Sequence, residues 1–323
     1  MCRRLIHHQE QDGESMGGLL PGGTQSWHRL DELKSTHYSQ LQLNRCLHDR
    51  NPLLPKMEDK YAARSVVESK AVCRLPKLLH WSAESHTLPW SILPEQCVIK
   101  TNHWSGDVLF IMDNGPTPLK GVDRALRLFS RADNRYKVIR NGRDQNGKFW
   151  PKWRIERALK WCLAQDFPTQ LEWGAASIQP RGVMVEELLI ENGQLPDDWK
   201  VHVFHGKAGF VQHDIGRMTT HAQSIYTIEG QKIIQSNPRW SEQGTPDEIV
   251  STLGEDGLRS LVEIAEKLAE DIDYSRVDLF RVNGEWVFGE YTNYHNSCHP
   301  QSDEWEALGG KLWLTKPETE EME

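Results

Sequence analysis

Apolar residues recur every three or four positions in three segments of the chain, which is the spacing of an amphipathic helix. The pattern predicts helices over residues 59–70, 153–165 and 258–269. Asp59 stands at the start of the first segment, where its carboxylate can cap the free backbone N–H groups. The apolar stripe of the last helix consists of Leu261, Ile264, Ala265 and Leu268.

Short apolar runs bounded by turn residues predict strands between these helices. Such runs occupy residues 96–100, 108–112, 183–190, 199–204 and 208–213. The strongest local signal is a hairpin, in which residues 277–282 and 286–291 flank Asn283-Gly284-Glu285. Because strands and helices alternate irregularly and several strands form adjacent pairs, the sequence indicates an α+β fold with antiparallel sheets. The glycine motifs of a Rossmann or P-loop site do not occur.

The hairpin carries two carboxylates, Asp278 and Glu290, in otherwise apolar strands. A two-residue turn would pair Val282 with Glu285 and send these carboxylates to opposite faces of the sheet. A three-residue connection or a bulge would instead pair Val282 with Trp286 and bring them together. We favour the second arrangement, because a divalent cation resolves the repulsion of two adjacent carboxylates and Mg²⁺ prefers such oxygen ligands. The alternative is a pair of carboxylates in solvent, or in ion pairs with neighbouring arginines.

Two lysines and a pair of glutamates are further candidates for binding. Lys100 ends a strand beside a small polar loop, from which its ammonium group could reach a nucleotide phosphate. Lys60 has the same potential, and for both residues the alternative is a surface lysine. Glu186 and Glu187 end an apolar strand, where they could accept hydrogen bonds from an amino group or sugar hydroxyls, or could simply be solvated.

Composition restricts the possible partners and the compartment. The chain has 323 residues and a net charge of −8, which argues against broad nucleic-acid binding. It has no run of about 18 apolar residues, so no membrane span is predicted. The six scattered cysteines form no CxxC pair, which favours a cytoplasmic protein. Residues 1–36 are predicted to be a flexible extension and residues 316–323 an acidic tail.

Taken in chain order, Lys60, Lys100, Glu186-Glu187, Arg276-Val277-Asp278 and Glu290 form a pattern that resembles the ATP-grasp superfamily. It is most similar to the TupA-like ATP-grasp family, which is associated with teichuronopeptide and cell-surface polysaccharide synthesis. The resemblance extends from about Leu43 to about Trp313. The segments that carry it are residues 49–52, 59–64, 98–103, 185–188, 199–207 and 276–292.

The resemblance implies an ATP-grasp fold, with two α+β lobes and antiparallel sheets that enclose a nucleotide cleft. Residues 37–185 would form an N-terminal segment and the small lobe, and residues 186–315 the C-terminal lobe with the metal hairpin. The implied activity is an ATP- and Mg²⁺-dependent ligation of a carboxylate to an amine through an acyl phosphate. The carboxylate would be a small molecule or part of a glycan or secondary metabolite. A phosphotransferase and a non-catalytic nucleotide-binding module are the alternatives.

The resemblance also implies roles for individual residues. Those expected to bind the nucleotide are Lys60, Lys100, His103, Ser105, Glu186, Glu187 and Leu188. Those expected to hold Mg²⁺ are Asp278, Glu290 and Thr292. Those expected to act in catalysis are Arg276, Arg217 and Lys200.

Two segments depart from the family pattern. Trp104 and Asp107 replace glycines of the loop expected to cover the phosphates, and residues 294–299 replace a Pro-Gly-Ser-Gly run. Both changes leave the expected metal ligands in place, but they put the usual acceptor substrate in doubt.

Overall fold

The computed structural model describes residues 34–83, 85–106, 108–112, 136–166, 171–216, 221–234 and 241–316. The predicted extension and acidic tail lie almost entirely outside the described residues, as do Asp107 and Arg217. The helices are α1 (Tyr38–His48), α2 (Leu53–Glu58), α3 (Ala63–Lys70), α4 (Lys152–Ala164), α5 (Trp173–Ala176), α6 (Val250–Leu268) and α7 (Asp303–Leu314).

Eleven strands are described, and a short 3-10 helix (His295–Cys298) follows the last of them. The strands are β1 (Leu78–Ala83), β2 (Cys97–Thr101), β3 (Val108–Met112), β4 (Tyr136–Arg140), β5 (Gly182–Glu186), β6 (Asp198–Phe204), β7 (Lys207–Ile215), β8 (Ala222–Tyr226), β9 (Lys232–Ile234), β10 (Tyr274–Val282) and β11 (Glu285–Thr292).

The predicted elements are all present, with shifted ends. Asp59 does not begin a long helix, because its carboxylate caps a turn by accepting from the backbone N–H groups of Tyr61 and Ala62, and α3 starts after that turn. Strand β5 ends at Glu186, four residues earlier than predicted. Helix α6 starts at Val250, earlier than its apolar stripe indicated, and Gly254 kinks it.

The strands form two sheets, which confirms the predicted α+β class. The five-stranded sheet has the order β1-β5-β2-β3-β4, and only its β3–β4 pair is parallel. Helix α4 packs on this sheet, where Ile155 and Leu159 join Ile99 and Val185 in one core. The six-stranded sheet has the order β11-β10-β6-β7-β8-β9 and is antiparallel throughout.

The six-stranded sheet has one apolar face, and its other face combines charged residues with an aromatic cluster that includes Phe204, Phe210 and Tyr274, because side chains alternate along each strand. In β6, Trp199, Val201 and Val203 belong to the core that contains Leu261 and Ala265 of α6. The residues between them are polar, and they point to the opposite side of the sheet. Helices α1 to α3 also contribute to this core, so the N-terminal segment packs against the second sheet.

The hairpin of β10 and β11 brings Asp278 and Glu290 together, as predicted, but by a different route. Val282 pairs with Glu285 across a two-residue turn, so the predicted pairing of Val282 with Trp286 is wrong. The register shifts at Gly289, which leaves Asp278 directly opposite Glu290. This bulge needs a glycine because a Cβ there would lie 2.9 Å from the Phe280 ring and 3.0 Å from the Asp278 carbonyl oxygen.

Gly289→Ala should therefore lower the free energy of unfolding by about 1–3 kcal/mol, since the added methyl group crowds backbone as well as a ring. Urea denaturation would measure the change. The control is Glu285→Ala on the same strand, where the side chain is exposed and little change is expected. Equal stability of both variants would contradict the explanation of the bulge.

Candidate functional site

Two neighbouring cavities lie between the two sheets. The large cavity has a volume of about 530 Å³ and an apolar wall that includes Val98, Val108, Phe110, Leu189 and Phe280. The small cavity has a volume of about 260 Å³ and is lined mostly by polar side chains. The residues that line both cavities are Lys60, Ser105, Tyr136, Asp214 and Glu290.

Asp278 is at the centre of a buried charge cluster between these cavities. Both Asp278 and Lys200 have side chains that are only 2% exposed. Arg276 donates two hydrogen bonds to Asp278, from Nε to Oδ1 at 2.6 Å and from Nη2 to Oδ2 at 2.7 Å. Lys200, the cross-strand neighbour on β6, donates from Nζ to Asp278 Oδ2 at 2.7 Å. The cluster follows from the sheet geometry. Arg276 and Asp278 are two residues apart on β10 and so point to the same face, and the register with β6 places Lys200 beside Asp278.

Lys200 is surrounded by further carboxylates. Its Nζ lies 3.3 Å from Asp198 Oδ1 and 3.8 Å from Asp214 Oδ2. Asp214 accepts in turn from Gln212 Nε2 at 2.9 Å and lies 3.0 Å from His221 Nε2. These contacts hold the lysine in one place and compensate its buried charge.

The cluster keeps its charges at neutral pH. Burial alone would raise the pKa of Asp278, but Arg276 and then Lys200 outweigh it and hold that pKa below its usual range. Burial alone would likewise lower the pKa of Arg276, but Asp278 and Glu290 raise it. Burial, and then Arg276, lowers the pKa of His295 to about 3. His295 is therefore neutral at pH 7, and its Nδ1 accepts from Arg276 Nη1 at 3.1 Å.

Glu290 is the more accessible carboxylate of the Asp278–Glu290 pair. Its side chain is 35% exposed and lines both cavities. Its oxygens lie 3.8 Å from Arg276 Nη2 and 4.0 Å from Lys60 Nζ, which is looser than the contacts of Asp278. Lys60 also donates to the carbonyl oxygen of Trp104 at 3.3 Å. Of the paired carboxylates Asp278 and Glu290, Glu290 is thus the one more available to a ligand.

Lys100 and the two glutamates are not free surface groups. The Lys100 side chain is 14% exposed, and its Nζ lies 2.6 Å from Glu186 Oε2. Glu186 also accepts from Arg64 Nη1 at 2.8 Å, while Glu187 pairs with Arg74. Lys100, Glu186 and Glu187 all line the large cavity. The alternatives of a surface lysine and a solvated strand end are therefore wrong for Lys100 and Glu186.

Most of the remaining predicted residues line the small cavity. His103, Thr292, Arg276 and Lys200 line the small cavity, and Thr292 is the cross-strand partner of Arg276. Leu188 is half-buried, and Leu189 rather than Leu188 lines the large cavity. The role predicted for Leu188 remains a prediction.

Three polar residues of the site were not predicted. Asp198 lies on β6, where polar residues alternate with Trp199, Val201 and Val203, and this alternation was the available signal. Asp214 follows Gln212 and His213 on β7, where no such alternation marks it. Glu58 ends α2 and lines the small cavity, and nothing in its local sequence distinguishes it from a surface glutamate. Burial raises the pKa of Glu58 to about 7.

The residues at the junction of the cavities fit a magnesium ion that phosphates help to hold. Among the described residues no cluster of three or more His, Cys, Asp or Glu side chains could hold a metal by itself. Mg²⁺ usually takes one or two carboxylates and completes its shell with water and substrate phosphates. Glu290 has accessible oxygens, Asp278 Oδ1 accepts only one hydrogen bond from the described residues and retains a lone pair, and the Thr292 hydroxyl can supply a further oxygen.

Residues 169–312 match the model of the family described as TupA-like ATPgrasp. The predicted resemblance is therefore confirmed over these residues, which contain strands β5 to β11 and most of the charge cluster. Comparison with curated proteins gave no match. Within the described ranges, none of the helices combines the length and apolarity that a membrane crossing requires.

Several solved structures of ligases are similar at low sequence identity. D-alanine–D-alanine ligase from Bacillus anthracis, complexed with ATP, is 13% identical with a TM-score of 0.36, over 74% of this chain and 54% of that one. VanG D-Ala:D-Ser ligase from Enterococcus faecalis is 12% identical with a TM-score of 0.41, over 80% and 61%. A RiPP-associated ATP-grasp ligase from Chryseobacterium gregarium, in complex with ADP and a leader and core peptide, is 9% identical with a TM-score of 0.37, over 83% and 63%. The matches thus span only part of each solved chain.

Lys200→Met should lower the free energy of unfolding by about 3–5 kcal/mol, because it leaves three buried carboxylates without their shared cation. Urea denaturation at neutral pH would measure the loss. Lys207→Met is the matched control, since Lys207 lies exposed on the neighbouring strand and its ion pair should contribute less than about 1 kcal/mol. Similar losses in both variants would show that the cluster does not stabilise the sheet.

Glu58→Gln should stabilise the protein more at high pH than at low pH. The pKa of Glu58 rises from 4.5 to about 7 on folding, so between these values the unfolded chain is ionised while the native state keeps its proton. Rising pH therefore favours unfolding of the wild type across that window, and glutamine removes this effect. The Tm difference between variant and wild type should grow from about pH 4.5 to about pH 8. A difference that stays constant would mean that Glu58 is not buried as described.

Proposed function

We propose that the protein is an ATP- and Mg²⁺-dependent ligase that joins a carboxylate to an amine through an acyl phosphate. The observation that carries the proposal is the pairing of Asp278 with Glu290 at the junction of an apolar and a polar cavity. The family match over residues 169–312 supports the same assignment.

The large cavity is suited to the nucleotide. Its apolar wall fits a flat base, and Glu186 and Glu187 on its rim can accept hydrogen bonds from amino and hydroxyl groups. Lys100 and Lys60 line the same cavity and would neutralise phosphate oxygens. His103 and Ser105 belong to the loop beside them, and Ser105 lines both cavities.

The transferred phosphoryl group would lie where the two cavities meet. Mg²⁺ held there by Asp278, Glu290 and Thr292 would neutralise the charge of the phosphates. Arg276 lines the small cavity with its guanidinium fixed by Asp278 and His295, so it is preorganised to stabilise negative charge on the transferred group. Lys200 is a positioning residue in this proposal, because its ammonium group holds the Asp278 carboxylate in place.

The residue types suit this chemistry because a carboxylate is a poor electrophile until it is phosphorylated. The acyl phosphate then presents a good leaving group, and an amine attacks it to give an amide and phosphate. The protein's contribution is to position both partners and to neutralise charge, without a covalent intermediate of its own. We further propose that the acceptor chemistry takes place on a cell-surface polysaccharide or a secondary metabolite, as the family resemblance suggests.

The proposal is tested by product analysis with ATP, Mg²⁺ and a panel of amino acids, uronic acids and dicarboxylic acids, with hydroxylamine to trap an acyl phosphate. Hydroxamate together with ADP and free phosphate is the expected result. ADP with a phosphorylated acceptor would indicate a phosphotransferase instead. ATP binding without ADP release from any acid would indicate a non-catalytic module.

Glu290→Gln should reduce Mg²⁺-dependent ADP release at least about 100-fold, since a neutral amide oxygen is a much weaker ligand for Mg²⁺ than a charged carboxylate oxygen. Glu285→Gln, which lies on the same strand but is exposed, is the matched control and should keep full activity. Glu290 is a sharper test than Asp278, because replacing Asp278 would also leave Arg276 and Lys200 without their shared counter-charge. Full activity of Glu290→Gln would remove the metal assignment.

Lys100→Met should weaken ATP binding about tenfold or more, since it removes a charge from the wall of the large cavity. Titration calorimetry with a non-hydrolysable ATP analogue would measure the affinity. The control is Lys77→Met, because Lys77 lies exposed just before β1 and is not among the residues that line the large cavity. Unchanged affinity would mean that Lys100 serves only its ion pair with Glu186.

A further inference from the structure

Helix α4 packs on the five-stranded sheet with one face and points to solvent with the other. Its inner face buries Ile155, Leu159 and Cys162. Its outward side chains follow the i, i+4, i+7 and i+8 spacing of one helical stripe, and all of them are exposed. We call this stripe the outer α4 face, and it consists of Trp153, Arg157, Lys160 and Trp161.

The two tryptophans of the outer α4 face are exposed to an extent that is unusual for such large rings. Trp153 is 63% exposed and Trp161 is 52% exposed. The rise of an α-helix separates the two residues by about 12 Å along the axis. Because a large exposed ring costs free energy in water, exposed apolar groups that recur on one face indicate an interaction site.

Two further exposed apolar side chains lie on segments that border α4. Phe149 precedes the helix, and its carbonyl oxygen accepts from Arg154 Nη1 at 2.6 Å. Ile92 lies in the loop after Trp90, whose Nε1 donates to Glu156 at 2.8 Å. Within the described ranges, four of the eight exposed large apolar side chains are therefore on α4 or beside it.

The outer α4 face is also positively charged. Helix α4 has four basic residues and one glutamate, whereas the whole chain has a net charge of −8. In the part of the chain that the structure describes, neither Arg157 nor Lys160 belongs to an ion pair. The one glutamate, Glu156, is bound by the backbone N–H of Leu88 and by Trp90 Nε1. A basic face on an acidic protein turns towards an anionic partner.

The outer α4 face borders the candidate site. The ring of Trp161 lies 5.7 Å from the ring of Trp104, at an interplanar angle of 85°. The carbonyl oxygen of Trp104 accepts from Lys60, and the next residue, Ser105, lines both cavities. A partner that docks on this face would therefore lie close to the loop that both cavities share.

We propose that the outer α4 face docks on the surface of an anionic lipid membrane. Indole rings favour the boundary between headgroups and acyl chains, and lysine and arginine side chains are attracted to anionic headgroups. The outer α4 face presents both kinds of side chain on one convex surface. A protein partner would instead favour rings clustered in one fitted patch, whereas a fluid lipid surface accommodates rings about 12 Å apart with cations between them. This docking does not depend on the proposed ligase function.

The proposal is tested by sedimentation of the full-length protein with lipid vesicles, in the absence of nucleotide. Vesicles of phosphatidylcholine alone are compared with vesicles of equal parts phosphatidylcholine and phosphatidylglycerol. The protein should bind the anionic vesicles at least about tenfold more tightly. Binding should weaken at about 1 M sodium chloride, because the Debye length is then only about 3 Å.

Two double variants separate the contributions of rings and charges. Trp153→Ala with Trp161→Ala, and Arg157→Glu with Lys160→Glu, should each weaken binding to anionic vesicles about tenfold or more. Both change exposed side chains, so the native circular dichroism spectrum should be kept. The matched controls are Leu314→Ala on α7 and Arg259→Glu on α6, which alter exposed residues elsewhere and should bind as the wild type does.

Equal binding of the wild type to neutral and anionic vesicles would overturn the proposal without any variant. So would undiminished binding of both double variants, because lipid would then contact another surface. Binding of soluble polyglutamate, but not of vesicles, through the same residues would indicate an acidic protein as the partner instead. A smaller oligomer in the double tryptophan variant, together with no vesicle binding by the wild type, would show that a second copy of the chain covers the face.

Discussion

The bidentate contact between Arg276 and Asp278, completed by Lys200, is the interaction on which the rest of the site depends. Each of these charges is buried and would be unfavourable without the other two. Their cross-strand positions make the contact a property of the sheet and not of a flexible loop. The same network extends to Asp198 and Asp214, and the aromatic residues Phe204, Phe210 and Tyr274 pack on the same face of the sheet.

The two cavities differ in the polarity of their walls. The large cavity combines an apolar wall with charged groups at its rim, whereas the small cavity has mostly polar walls. Lys60 and Glu290 line both cavities, so a group at their junction lies beside an ammonium and a carboxylate. The neutral ring of His295 supports Arg276 from behind without adding charge, which keeps the guanidinium paired with carboxylates.

Much of the fold and part of the site could be predicted from the sequence, for reasons visible in particular residues. Asp278 and Glu290 were recognisable because charged side chains in apolar strands are unusual. The exact register was not predictable, because the bulge at Gly289 depends on the close approach of Phe280 and of the Asp278 backbone. Glu58 was missed because its place in the small cavity depends on contacts such as that with the backbone of Asn293, which is 235 positions away in the chain. Contacts of this kind leave no local pattern.

The bulge at Gly289 has a further consequence for the hairpin. From Leu279 to its tip the hairpin follows the register set by the Asn283-Gly284 turn, whereas Asp278 follows the register set by its pairing with Glu290 and Lys200. The bulge, and not the turn, therefore decides to which face of the sheet the side chains of Asp278 and Glu290 point. Loop grafting or circular permutation at the hairpin tip should consequently be tolerated, because the strand ends that carry the charges are anchored independently of it.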